Sequence, residues 1–280
     1  MKKGLRNTVL SLATLLALVS CGAPKVTEEV AKQRAQEITA RREAEDFELP
    51  KKITVTAKAK ADISAKMGSE KQSQSVTEEV KMVLDLENHY YHMEISASAD
   101  GSTERTEQWC YIEGTTAILA IDDENGKMYQ EGTVTDPAQF EEVFDSILNN
   151  VYSVVLDSQY LQIDNLDQTL LSTVQGYGLT GELDSKASYT SSAEGNLGIN
   201  AKAEIKNASM QGVSASASLS VDVAFDNYLL MDTTVTLKVN ASEPTSGLTM
   251  SITQKESVDF NYGVASISKP NLVEFTKVQQ

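Results

Sequence analysis

The 280-residue sequence is short of several things, and each shortage excludes something. It holds two cysteines, Cys21 and Cys110, one tryptophan, two histidines and five prolines. Two cysteines cannot supply the disulfide framework on which small exported domains rely. His89 and His92 lie three residues apart in Asn88-His89-Tyr90-Tyr91-His92, on opposite faces of an extended segment, and are expected to be satisfied or solvent-facing rather than an acid–base or metal pair. No G-x-S-x-G elbow offers a hydrolase nucleophile. No apolar run reaches the ~18 residues of a membrane-spanning helix. Basic residues are also in deficit: 24 Lys plus Arg against 40 Asp plus Glu give a net charge of −16, the wrong sign for gripping a phosphate backbone. The composition points away from an enzyme, a cofactor or a nucleic-acid partner.

What is present begins at the N-terminus. Lys2, Lys3 and Arg6 form a basic start, Val9 to Val19 is mostly apolar, and small Ser20 precedes Cys21. This is the layout of a secretory signal peptide. The eleven-residue apolar core would make a helix of ~16 Å, too short for a hydrocarbon layer of ~30 Å. Leu18-Val19-Ser20-Cys21 resembles the lipobox of bacterial lipoproteins, in which the cysteine thiol receives diacylglycerol and becomes the mature N-terminus. That resemblance implies removal of residues 1–20, acyl chains such as palmitate on Cys21, a tether over 21–26, and a lipid anchor on the outer side of a cell or outer membrane. Gly22 lacks the acidic character of an inner-membrane retention signal. Losing Lys2, Lys3 and Arg6 leaves 21 basic against 40 acidic residues, net −19, which repels anionic headgroups and makes lipid rather than a basic patch the anchor. With Cys21 acylated, Cys110 has no partner, so a single domain over 27–280 must be stabilised by its core alone.

The rest of the chain alternates with period two. Thr27 caps an expected helix over 27–46, with Glu28 and Glu29 in its first turn, Arg41 and Arg42 near its end, and an apolar face thin enough for either a stalk or a packed element. Ile53, Val55, Ala57, Ala59, Ala61, Ile63 and Ala65 then fall on one face of a strand. Val80 to Leu86, Tyr91 to Ala99 and Thr103 to Ile112 follow as sequential antiparallel strands. Asn125-Gly126 predicts a type I′ hairpin between Ala117–Ile121 and Met128–Tyr129; the acidic run Asp122 to Glu124 reads as its tip, since a calcium loop would begin on Ile121. Asp136 caps a helix over 137–155 carrying Phe140, Phe144, Ile147 and Val151 in one apolar stripe. Residues 157–182 form a connector with a short helix. Leu197–Ile205, Val213–Phe225, Leu229–Val239 and Met250–Phe260 repeat the strand pattern. Strands this long must twist and curl, so the expected fold is a β-dominated α+β half-barrel, a strongly curved antiparallel sheet with an N-terminal and a central helix across its concave face.

The lipobox, early helix, meandering strands and central helix together resemble the exported half-barrel lipoproteins of the LolA and LppX kind over residues 27–275, and the run Phe260-Asn261-Tyr262-Gly263 to Pro270 is similar to their closing strand. The resemblance implies a concave apolar cavity for lipid or acyl chains. The residues argue the same independently: Ala57, Ala59, Ala61, Ala65, Ala97, Ala99, Ala201, Ala203, Ala215 and Ala217 stand where a solid core would prefer larger side chains. The expected lining is Val55, Ala57, Ala59, Leu84, Leu86, Met93, Ile95, Phe140, Phe144, Ile147, Val151, Ala215, Ala217 and Leu219. The competing expectation is that helices fill this space, leaving a structural or adhesive surface protein with no small-molecule ligand.

Overall fold

Alternating polar and apolar residues drive most of the chain into strands. The computed structural model describes residues 23–134, 144, 147, 149–156, 158–210, 213–243, 245–263 and 265–278. After β1 (Lys25–Val26) and α1 (Glu28–Arg42) come β2 (Lys52–Met67), β3 (Glu70–Asp85), β4 (Tyr90–Ala99), β5 (Ser102–Glu113), β6 (Thr116–Asp123) and β7 (Gly126–Thr133). A helical stretch over 149–155 and α2 (Leu166–Gly176) separate these from β8 (Leu179–Thr190), β9 (Leu197–Met210), β10 (Val213–Asp226), β11 (Leu229–Glu243), β12 (Leu248–Tyr262) and a short β13 (Thr276–Lys277). Cys21, Phe140 and the start of the central helix lie outside the described residues.

The described strands form one sheet in the order β1-β8-β9-β10-β11-β12-β2-β3-β4-β5-β6-β7-β13. It is antiparallel except where β13 runs parallel to β7. β12 pairs with β2 over its whole length, Tyr262 opposite Ile53 and Leu248 opposite Met67, so the last long strand joins the first and fuses two meanders. At ~3.3 Å per residue the 16-residue β2 and β3 extend ~50 Å. Such strands twist strongly, and the sheet curves without closing into a half-barrel with helices on its concave side. No helix among the described residues is long and apolar enough to cross a membrane.

Two hairpins use type I′ geometry, with positive φ at both corner residues: Asp100-Gly101 (51° and 84°) and Asn227-Tyr228 (47° and 65°). The turn expected at Asn125-Gly126 is built differently. Asp123 pairs with Gly126, which makes Glu124 and Asn125 the corner, and only Gly126 (111°) has positive φ. The Asn125 N–H donates to Asp123 Oδ1 at 2.8 Å, and this Asx bond holds the corner in place of left-handed backbone.

The inner, helix-bearing face carries the main core. α1 is a packed element rather than a stalk: Thr27 caps it by accepting from the Val30 N–H (3.4 Å), and Ala31, Ala35 and Ile38 are buried. Its small alanines let the helix come close to the sheet. With Val151, Val155, Leu166, Leu170 and Val174 they cover Ile199, Ala201, Ala203, Leu219 and Val221. A second cluster lies on the outer face of β3–β6, where Val83, Tyr90, Trp109, Tyr111, Ile118 and Ala120 pack under Phe275. The C-terminal strap is tied there by Tyr90, whose hydroxyl donates to Ser268 O (2.7 Å) and accepts from Ser268 N–H (3.0 Å).

Candidate functional site

Register places the expected lining residues on one face and then divides them by what covers them. On β2, Val55, Ala57 and Ala59 stand opposite Met82, Val80 and Glu78 of β3, which in turn meet Met93, Ile95 and Ala97 of β4. On the other side Phe260, Val258 and Glu256 of β12 complete the rows. Val55, Ala57, Ala59, Met93 and Ile95 are all half-buried.

Apart from Phe140, which lies outside the described residues, the rest of the expected set is covered, and Val55 and Met93 pack at the edges of the covered clusters. Leu84 is buried with Tyr91 and Phe144, and Leu86, Met93 and Ile147 pack against that cluster. Val151, Ala217 and Leu219 belong to the main core, with Ala215 packed against it. Over β8–β11, therefore, the helices fill the space above Ala201, Ala203 and Ala217, as the competing expectation held. Over β12, β2, β3 and β4 the same inner face is more open. Ile63 and Val76 each retain 36% of their surface, Leu248 36% and Met67 57%, and register puts all four on the inner side. The contrast has a simple cause: α1 contacts β8 and β9 and α2 contacts β8, while Phe144 reaches only the Leu84–Tyr91 end of β3 and β4, so among the described residues no helix covers the outer ends of the central hairpin arms.

The open region is a trough of small apolar side chains crossed by a polar row. Glu256, Ala59, Glu78, Ala97 and Glu104 are consecutive cross-strand partners on this face. Gln254 donates to Glu256 at 2.7 Å. Tyr177, just past α2, also bonds to Glu256; burial and that carboxylate push its phenol up to about 12. Glu78 was missed by a reading that began the strand at Val80. Continuing the same alternation back through Glu78 to Val76 would have found it.

Other candidate groups stay apart. His89 sits in the β3–β4 turn at φ 45°, while His92 lies on the outer face, stacked on Trp109 with ring centroids 5.0 Å apart. Its Nε2 is 3.8 Å from Glu107, yet burial holds its pKa below the ordinary histidine value. Burial pushes the Cys110 thiol up to about 11, so it is protonated at neutral pH and a poor nucleophile. Among the described residues no three His, Cys, Asp or Glu side chains converge as metal ligands.

No family model matches the sequence. No curated protein matches it either. Solved structures that resemble the fold include the ywiB protein of Bacillus subtilis (6% identity, 75% of this chain and 94% of that chain, TM-score 0.17). A DUF1329 family protein of Desulfovibrio piger aligns with 12% identity over 86% of this chain and 94% of that chain at TM-score 0.17. The S-type phycobiliprotein lyase CPES of Guillardia theta aligns with 9% identity over 87% and 99% at TM-score 0.18. At such scores the architecture rests on this chain's own pairings.

Proposed function

We propose that the protein is an exported lipoprotein, anchored by acyl chains on Cys21 at the outer side of a membrane, that binds an apolar chain along the open half of its inner sheet face as a carrier or sensor. The observation that carries the ligand reading is the uncovered trough from β12 to β4, where Ile63, Val76, Leu248 and Met67 keep a third or more of their surface. A row of exposed apolar side chains on a sheet face is costly in water and gains on contact with an apolar partner, at roughly 25 cal/mol per Å2 removed from solvent. Alanines leave room there for a chain to lie flat. The carboxylates of Glu78, Glu104 and Glu256 cross the trough and disfavour a negatively charged head at that level, so the ligand suited to it is neutral or carries its anion elsewhere. The anchor rests on the Leu18-Val19-Ser20-Cys21 sequence.

A second reading draws on the filled half of the same face. If the whole sheet serves as a rigid scaffold, as the solid packing over Ala201 and Ala203 favours, the protein is a structural or adhesive surface lipoprotein. Organic-solvent extraction of the purified protein followed by mass spectrometry separates the two. A stoichiometric co-purified lipid beyond the N-terminal acyl chains supports the carrier, and its absence supports the scaffold.

A further inference from the structure

The outer face of β8–β11 holds a groove of about 720 Å3, on the opposite side of the sheet from the proposed apolar site. Its polar side chains are the hydroxyls of Ser188, Ser218, Ser220 and Thr236, the Asn200 amide, three lysines, and the carboxylates of Asp184 and Glu204 along one edge. Register reveals an order that the sequence hides. Lys186 stands directly opposite Lys202, Lys202 opposite Ser220, and Ser220 opposite Thr236. Across the next two strands Thr236 meets Lys255 and Lys255 meets Lys60. The row continues through Thr77, Ser98 and Thr103. It thus runs Lys-Lys-Ser-Thr-Lys-Lys-Thr-Ser-Thr across nine strands of a chain whose net charge is −16, without one carboxylate.

Like charges directly opposite on a sheet are destabilising, and here the arrangement occurs twice in one row. At the ~4.8 Å strand spacing, the two lysine pairs are centred ~19 Å apart with hydroxyls between them. Lys186, Lys202 and Lys255 form no ion pair among the described residues, although Asp184 and Glu204 occupy the adjacent row and Lys60 pairs with Asp62 at 3.0 Å. Beyond the Lys60–Asp62 pair and the attraction of Lys186 to Asp184, folding gains little from such a row, whereas a linear polyanion laid across the strands would meet charge at two points and hydrogen-bonding groups along its length.

We propose that this row and groove bind an acidic glycan, a hydroxyl-rich chain bearing carboxylate or other anionic groups. Ser218, Ser220 and Thr236 suit sugar hydroxyls. The groove lining contains no aromatic platform, which disfavours single-stranded nucleic acid, whose bases bind by stacking. The site is independent of the apolar trough.

The test uses the full chain in non-ionic detergent and titrates it with size-defined oligogalacturonate, with neutral dextran and a single-stranded oligonucleotide as comparisons. The expected result is saturable binding of oligogalacturonate alone, weakened by added salt. Lys186→Gln/Lys202→Gln should bind roughly tenfold more weakly, as the loss of two exposed charged contacts implies. Lys51→Gln/Lys269→Gln, the same change of charge far from the groove, should bind like the parent, and equal melting temperatures would show that both variants fold. Absence of oligogalacturonate binding, equal weakening by both double variants, or oligonucleotide binding as tight as that of the glycan would each overturn the proposal.

Discussion

Two alanines on one face of the sheet should answer oppositely to the same enlargement. Ala217 is 9% exposed, lies opposite Ile205 and Val239, and sits in the core that α1 and α2 close. A phenylalanine there has no room and must displace neighbours, at a cost of about 1 to 3 kcal/mol. Ala59 is half-buried in the open trough between Glu78 and Glu256. Phenylalanine at that position meets solvent and the flexible side chains of Glu78 and Glu256, which can move aside, so the change should stay within about 0.5 kcal/mol, as for surface positions. The assay is equilibrium urea unfolding followed by circular dichroism. With an m-value of roughly 3 kcal/mol/M, Ala217→Phe should lower the midpoint by about 0.3 to 1 M while Ala59→Phe leaves it within about 0.2 M. Equal loss in both variants would refute the division of the face into a filled and an open half.

Three further outcomes follow from the same contacts and from the N-terminal sequence. Cys21→Ser should abolish entry of the exported protein into the detergent phase; retention there would reject the lipobox reading. Phe144, 2% exposed and packed on Leu84 and Tyr91, should cost about 3 to 5 kcal/mol on truncation to alanine, measured by the same unfolding assay, and an unchanged midpoint would mean that this cluster does not hold the central helix. His92, covered by Trp109 and faced by Glu107, Glu94, Lys81 and Arg105, has its pKa lowered chiefly by burial. The unfolded chain then binds the proton more readily, so stability is fully present above the ordinary histidine value of ~6.5 and declines as pH falls below it. His92→Gln should flatten that decline between about pH 7 and pH 5.5, and parallel curves for parent and variant would contradict the burial of a neutral imidazole.

The parts of the fold legible in the sequence are those written in local period. Ile53 to Ala65 and Val213 to Phe225 alternate strictly, and both are strands with the expected side turned inward. Thr27 with Glu28 and Glu29 marked the start of α1. The hairpin arm from Glu70 to Ser75 was not legible, because its solvent-exposed residues carry no apolar alternation and are held extended by pairing with β2 alone. The joining of β12 to β2 could not be read either, since local pattern says nothing about pairing between segments nearly two hundred residues apart. For the candidate site, the sequence identified the alanine faces but could not say which were covered. Ala59 and Ala217 look alike in pattern and differ only in whether a helix reaches them. The lysine row is invisible for the same reason, being a property of register across strands.

The ligand proposal is tested most directly by titrating the full chain in non-ionic detergent with the uncharged fluorophore phenylnaphthylamine, in parallel with its Ala59→Phe variant. An apolar trough predicts saturable uptake with enhanced fluorescence by the parent and uptake at least several-fold weaker in Ala59→Phe at unchanged stability. Absence of saturable uptake by the parent, or identical curves for the two proteins, would contradict an apolar site on this half of the sheet.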